Sequence, residues 1–170
     1  MRPELTKRAD YAIRAMLALA RTTEATPLSA RRIAEAMGIP GRFLPQAMGD
    51  LSRAGLVRAE PGRNGGYRLQ RPAVEISLLD IIEAVEGDSR RQSCVLQGGP
   101  CGGSGQCAVH AVFVAAQDAL LGTLSGASLA SVASLASVAS LGTGGGWAGS
   151  GDESSPAAWF AAVDEDRAPE

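Results

Sequence analysis

Apolar residues in the first third of the chain recur at three- and four-residue intervals in three separate stretches. This spacing places them on one face of a helix, so each stretch predicts an amphipathic helix. The first covers residues 5–21, the second ends at Met37 and the third ends at about Ala54. Ser29 is a suitable N-cap for the second helix, and Gly38 is a suitable residue to end it.

The second and third predicted helices are joined by the short turn Gly38-Ile39-Pro40. Two helices joined by a turn of three or four residues that includes Gly form a helix-turn-helix, whose second helix enters the major groove of DNA. Pro45 lies inside the third stretch, where a proline removes a helical hydrogen bond. This recognition helix is therefore expected to begin late, near Leu44.

Two short stretches after the third helix, residues 56–59 and 66–69, are expected to be strands. The loop between them, Pro61-Gly62-Arg63-Asn64-Gly65, is tight and positively charged. A hairpin that follows a helix-turn-helix is a wing. The predicted fold class is therefore mainly α with a small β-wing, in the form of a winged helix-turn-helix head.

Further helical patterns follow the wing. A short helix is expected from Leu79 to Val85, capped near Ser77 and closed by Gly87. From Cys107 to about Leu124 a wide apolar stripe predicts a long helix. So small a domain offers little surface of its own to cover this stripe, so we expect a partner chain and hence a homodimer.

The end of the chain has low complexity. Residues 128–141 repeat Ser-Leu-Ala-Ser-Val-Ala, and residues 142–156 are rich in Gly, Ser and Pro. A strict period of three cannot keep one helix face buried, so the tail is expected to be weakly helical at best and disordered after about Ser140. The predicted domains are a winged helix-turn-helix at 1–72, a cysteine loop with a dimerisation helix at 73–127, and a tail of no assigned function at 128–170.

Charge is distributed unevenly around a net charge of −2. Residues 1–72 contain 13 Lys and Arg against 6 Asp and Glu, whereas residues 73–170 contain 3 against 12. A basic half suits a polyanion, because each Lys or Arg that neutralises a phosphate releases counterions and adds affinity. No apolar run reaches about 18 residues and no signal-peptide core is evident, which predicts a cytoplasmic protein without membrane contact.

Basic, amide and aromatic side chains of the helix-turn-helix and the wing are the candidate contacts with a double-stranded DNA operator, because they suit base edges and phosphates. The candidates are Arg31, Arg42, Gln46, Arg53, Arg58, Arg63, Asn64, Tyr67 and Arg68. The alternative is a protein-interaction module, since helix-turn-helix folds also serve that purpose. An enzyme is not expected, because the chain has a single His, no phosphate-binding Gly motif and no nucleophile motif.

All three cysteines, Cys94, Cys101 and Cys107, lie within fourteen residues. An odd number in a chain without a secretion signal argues against a disulfide framework. Thiolates suit the iron of an iron-sulfur cluster, and the glycines between them allow the backbone to wrap a metal centre. A fourth ligand is needed, and His110 follows Cys107 by three residues. Zinc, a thiol switch or a small organic effector is the alternative.

Several motifs follow one another in order over residues 1–127. They are Leu5-Thr6-Lys7, Asp10-Tyr11-Ala12-Ile13, Ile33-Ala34-Glu35, Gly38-Ile39-Pro40, Ala54-Gly55-Leu56-Val57, Gly65-Gly66-Tyr67-Arg68-Leu69 and Ile76-Ser77-Leu78-Leu79-Asp80-Ile81-Ile82. Together they resemble the Rrf2 family of bacterial repressors. The resemblance implies a homodimer with winged heads, a crossing dimerisation helix and a three-cysteine cluster loop before it. It also implies a repressor whose operator affinity follows iron-sulfur status, redox state or nitric oxide.

The resemblance leaves two candidates for the fourth ligand. IscR-like members of the family use a histidine at the place of His110 to complete a [2Fe-2S] cluster, which is the favoured interpretation. NsrR-like members use a carboxylate at the place of Asp10 for a [4Fe-4S] cluster. Two residues depart from the family pattern: Pro45 replaces an acidic base-reading residue of IscR-like members, and Pro61 replaces a common wing Arg. We therefore expect either an operator that differs from theirs or a wing contact that shifts to Arg58 or Arg63.

Overall fold

The computed structural model describes residues 5–22, 26–87 and 109–141. Its helices are α1 (Lys7–Arg21), α2 (Ala30–Met37), α3 (Leu44–Arg53), α4 (Leu78–Glu86), α5 (His110–Gly126) and α6 (Leu129–Leu141), and its strands are β1 (Val57–Glu60) and β2 (Gly66–Leu69). A single 3-10 turn, Ala73–Glu75, precedes α4. The predicted fold class, mainly α with a small β-wing, is confirmed. None of the described helices is long and apolar enough to cross a membrane.

Local sequence explains where the first helices begin and end. The hydroxyl groups of Thr6 and Ser29 cap α1 and α2, and each accepts a hydrogen bond from a backbone N–H of the first turn. Gly38 ends α2 in the left-handed conformation, at φ 61°, which favours glycine. Helix α3 begins at Leu44, as predicted. Pro45 therefore falls in the first turn, where no helical hydrogen bond is lost.

Helix α1 is the centre of the core. Small residues such as Ala12 and Ala15 are fully buried along it and let the neighbouring helices approach closely. Helices α2, α3 and α4 all pack on α1, and Ile81 and Val85 of α4 belong to the same buried cluster. The helix that follows the wing therefore shares one core with the helix-turn-helix.

The wing hairpin is hydrogen-bonded to Leu28, which lies just before α2. Strands β1 and β2 pair antiparallel, with Arg58 opposite Arg68. The backbone N–H of Leu28 donates to the Tyr67 carbonyl at 3.0 Å, and the Tyr67 N–H donates to the Leu28 carbonyl at 2.8 Å. A Cβ added at Gly66 would lie 2.3 Å from the Leu28 carbonyl oxygen, so this crossing requires glycine.

The interpretation of residues 128–140 as weakly helical at best is wrong, because Leu129–Leu141 form the regular helix α6. Leu129 is fully buried and Ala133 is almost so, on the side of α6 that packs against α1 and the 3-10 turn. The period of the repeat does not prevent docking, because Leu129 and Ala133 in the first turns are buried together. The disorder expected further along concerns residues 142–170, which lie outside the described residues.

Candidate DNA-binding surface and cysteine loop

The recognition helix α3 divides its residues between core and solvent. Leu44, Met48 and Leu51 are buried, and their spacing leaves Gln46 and Arg53 on the exposed side. The second helix of a helix-turn-helix presents such a side to the major groove. Two of the predicted DNA contacts therefore lie on the surface that the fold would offer to DNA.

Arg42, just before α3, is oriented by an aromatic pair. Its guanidinium carbon lies 4.7 Å from the centre of the Phe43 ring, and this ring stacks on Tyr11 of α1 with 5.6 Å between the ring centres. A guanidinium is attracted to an aromatic face, so the stack holds Arg42 at the N-terminal end of α3. Recognition helices contact base edges mainly with their N-terminal residues, which makes Arg42 and Gln46 the best-placed candidates for base contacts.

A buried ion-pair cluster beside α3 is not predicted by the helical pattern. Asp50 is almost fully buried, and its carboxylate accepts hydrogen bonds from Arg8 of α1 and from Arg53. The Arg8 Nε atom lies 2.9 Å from Asp50 Oδ2. The sequence indicates only the Asp50–Arg53 pair, because these residues are three positions apart on one helix. It does not indicate Arg8, which comes from a distant part of the chain.

The predicted wing contacts lie in two different environments. Arg63 and Asn64 are exposed at the tip of the hairpin. The side chain of Arg68 is only 20% exposed and donates to Glu60 at 2.7 Å, and Arg58 lies 3.6 Å from the same carboxylate. The tip residues are accessible to a phosphate, whereas Arg68 and Glu60 also link the two strands of the wing.

The two other predicted contacts, Arg31 and Tyr67, flank this surface. Arg31 is strongly exposed on α2, where its guanidinium lies 3.9 Å from the Glu35 carboxylate one turn along the helix. An exposed pair of this kind adds little to stability, so it does not commit Arg31 to a structural role. Tyr67 is half-buried, and its ring packs against the core. Its position ties the wing to the head.

The three cysteines lie between two helices whose ends are described. Cys94, Cys101 and Cys107 fall outside the described residues, after the end of α4 at Glu86 and before the start of α5 at His110. His110 is half-buried as the first residue of α5. Within the described residues, no group of three or more His, Cys, Asp and Glu side chains is placed to hold a metal ion.

The two candidate fourth ligands differ in their surroundings. The Asp10 carboxylate accepts a hydrogen bond from Arg14 Nε at 2.8 Å, one turn along α1. Arg14 also donates to the Met37 carbonyl at 3.4 Å. Asp10 is held in this ion pair through Oδ1, whereas His110 is the first residue of α5 and adjoins the cysteine segment in sequence. Three thiols and an imidazole are a donor set that fits cluster iron.

Helix α5 carries an apolar surface that the described part of the chain does not cover. None of its residues is buried, and Val112 and Leu120 are 70% and 50% exposed. Asp118 is its only Asp, Glu, Lys or Arg. Contiguous exposed apolar side chains mark sites of association, which makes the exposed face of α5 a candidate interface.

Comparison with known families identifies the class of protein. A family model named Rrf2, described as an iron-dependent transcriptional regulator, matches residues 5–134. The chain belongs to the Rrf2 family. The match extends from the start of α1 into α6 and includes the whole cysteine segment.

Relatives of known sequence agree with this assignment. The regulator IscR of Escherichia coli is 35% identical over 125 residues, which are 74% of this chain and 76% of IscR. A helix-turn-helix-type regulator of Mycobacterium tuberculosis is 40% identical over 83 residues, or 49% of this chain. That alignment spans about half of the relative's own length, 52%. The relatives are named as transcriptional regulators, which confirms the prediction that this family member is not an enzyme.

Solved structures share the fold. CymR of B. subtilis, described as a global cysteine regulator, has a TM-score of 0.69 at 26% identity, over 79% of this chain and 98% of CymR. IscR of T. potens has a TM-score of 0.68 at 26% identity, over 83% of this chain and 93% of that IscR. The protein is thus a DNA-binding transcriptional regulator with a winged helix-turn-helix.

Proposed function

We propose that this Rrf2-family regulator binds its operator as a homodimeric repressor whose DNA affinity is set by an iron-sulfur cluster on Cys94, Cys101 and Cys107. His110 is the proposed fourth ligand, with Asp10 as the alternative, and [2Fe-2S] is favoured over [4Fe-4S]. The observation that carries the proposal is the place of the three thiols directly before α5, with His110 as the first residue of that helix. When bound, such a cluster supplies a centre sensitive to iron supply, redox state and nitric oxide.

The helices on either side of the cysteine segment support a link between the state of the cluster and DNA binding. Helix α4 packs on α1, and the Thr6 hydroxyl donates to Glu86 at the end of α4, at 2.6 Å. At the far end of α5, the Ala127 carbonyl accepts from the Leu78 N–H at 2.9 Å. Helix α4 is therefore bonded to the head and α5 is bonded to α4, so a rearrangement of the thiols and His110 would be transmitted to the head through α4.

The exposed face of α5 supports the homodimer. Pairing of two α5 helices would bury Val112 and Leu120, which one chain leaves in water. Two symmetric heads must hold their recognition helices about 34 Å apart to enter successive major grooves. A small rotation at α5 would change this separation and weaken binding, which is a means for a ligand at the start of α5 to control affinity.

The test begins with the anaerobically purified protein, its visible absorption spectrum and its iron and sulfide content. We expect a coloured wild type, loss of the colour in Cys101→Ala, and an altered spectrum in His110→Ala but not in Asp10→Ala. Asp118→Ala is the matched control, because it removes an exposed carboxylate from the same helix as His110. A spectrum altered by Asp10→Ala instead would assign the fourth ligand to α1.

The second part of the test measures affinity for a duplex selected from a random pool by the wild-type protein. Loaded and cluster-free protein should differ in dissociation constant, and equal values would contradict cluster control. A colourless, iron-free protein after anaerobic reconstitution would exclude the cluster itself. Zinc, a thiol switch or a small organic effector would then be the candidate signal. The structural likeness to a protein described as a global cysteine regulator is a reason to test these alternatives.

A further inference from the structure

Asp50 is the one buried charged residue within the described part of the chain. Its side chain is 2% exposed, although neighbouring residues of the recognition helix face solvent. Both carboxylate oxygens are used: Oδ2 accepts from Nε and Nη2 of Arg8, and Oδ1 accepts from Nη2 of Arg53. Helices α1 and α3 are thereby joined through one carboxylate.

The cluster has an excess of positive charge. A carboxylate is costly to bury unless it is paired, and two guanidinium groups pair it here, so the three side chains carry a net charge of +1. The side chains of Arg8 and Arg53 are 45% and 78% exposed. Each guanidinium has five N–H donors and the bonds above use only some of them, with Arg53 Nε donating to the Gly49 carbonyl at 3.3 Å. The remaining donors are available to an anion on the surface.

We propose that Arg8 and Arg53 form a binding site for one phosphodiester group of the DNA backbone, and that Asp50 is its positioning residue. The inference rests on the proposed binding of operator DNA by the head and adds Arg8 to the surface involved. Arg53 lies in the last turn of α3 and Arg8 lies on α1, away from the N-terminal end of α3 that reads bases. Side chains that flank a recognition helix contact phosphates, and a guanidinium binds phosphate through two parallel hydrogen bonds.

The first test compares Arg8→Gln and Arg53→Gln with wild type on two duplexes, one selected by the wild type from a random pool and one of scrambled sequence. Because binding to phosphate is independent of sequence, affinity should fall by a similar factor on both duplexes. The slope of log affinity against log salt should become shallower by about 1 for each phosphate that a head no longer neutralises. Arg21→Gln is the control, since it removes the same charge about 20 Å further along α1 at about 1.5 Å per residue.

The second test separates positioning from charge. Asp50→Asn removes a negative charge, so long-range electrostatics alone predict tighter DNA binding and a steeper salt dependence. Positioning predicts weaker binding and a shallower salt dependence, because the two guanidinium groups lose their common anchor. In the Arg8→Gln, Arg53→Gln double variant, Asp50→Asn should no longer weaken DNA binding, because neither guanidinium group is left to be positioned. Thermal unfolding of each variant identifies any loss of folding.

The possible results are distinguishable. A wild type that selects no duplex from the pool and does not bind the scrambled duplex would contradict DNA binding as a whole. A wild type that binds both, with Arg8→Gln and Arg53→Gln indistinguishable from Arg21→Gln, would overturn the phosphate site. Tighter binding by folded Asp50→Asn would overturn its positioning role. If Asp50→Asn does not fold, the arginine variants still decide whether the site exists.

Discussion

The clearest test of how the chain folds uses two leucines that occupy the same place in successive copies of the six-residue repeat. Leu129 and Leu135 both follow Ser and precede Ala-Ser-Val-Ala. Six residues rotate a helix by about 600°, so the two side chains point about 120° apart. Leu129 is fully buried against the head, whereas Leu135 is 68% exposed. Substitution by Ala at each position therefore separates docking of α6 from its intrinsic helicity.

The magnitude follows from the atoms removed. Leu129→Ala deletes three buried carbon atoms, worth about 2.4 kcal/mol at about 0.8 kcal/mol each. A cavity between α6 and α1 adds to this, so the free energy of unfolding should fall by about 2.5–4 kcal/mol. For a domain of this size the melting temperature should drop by about 8–14 °C. Leu135→Ala should change the free energy by less than about 0.5 kcal/mol, because it removes exposed atoms.

The assay is chemical unfolding followed by circular dichroism, at one protein concentration because association affects apparent stability. Both substitutions exchange Leu for Ala in α6, so any change in helix propensity is common to the pair and cancels in the comparison. Equal effects of the two substitutions would refute the docked arrangement of α6. A difference with the opposite sign would show that the second copy of the repeat, and not the first, packs on the head.

Three further predictions concern the wing, α5 and the start of α1. Gly66→Ala should destabilise the fold by about 1–3 kcal/mol in thermal unfolding, because the added Cβ meets a backbone carbonyl. Gly49→Ala is the control: the added Cβ lies in open space on α3, so this substitution should stabilise the fold by up to about 1 kcal/mol. Leu120→Asp should convert a dimer to monomers in light scattering after gel filtration, and an unchanged mass would exclude α5 as the interface. Thr6→Val should lower the free energy of unfolding by about 1 kcal/mol. It should also reduce the difference in DNA affinity between loaded and cluster-free protein. Thr22→Val, at the other end of α1, is the control and should leave that difference in DNA affinity unchanged.

The elements that were predictable are those whose signals are local. The N-cap at Ser29, the glycine at 38 and the proline in the first turn of α3 each act within a few residues, so the bounds of the helix-turn-helix follow from short segments. The exposure of Arg63 and Asn64 likewise follows from their place at a hairpin tip.

The features that escaped prediction depend on residues distant in the chain. The Arg8 side chain meets Asp50 across 42 positions, and neither residue departs from the pattern of an ordinary solvent-facing charge. Leu28 pairs with Tyr67 as a single bridge, too short to show the alternation of a strand. Leu129 sits in a repeat whose period argues against burial, and its docking depends on an apolar surface that α1 and the 3-10 turn create together.

These distant contacts link the end of α4, which precedes the cysteine segment in sequence, to the surface proposed to bind DNA. The end of α4, just before the segment, is bonded through Glu86 to Thr6, the cap of α1. Two residues further along α1, Arg8 is bonded to Asp50 of the recognition helix. A displacement of the end of α4 therefore needs to alter only the first turn of α1 to reach α3. Coupling requires an element with two arrangements, so we predict that the first turn of α1, which Thr6 caps, changes with ligand state.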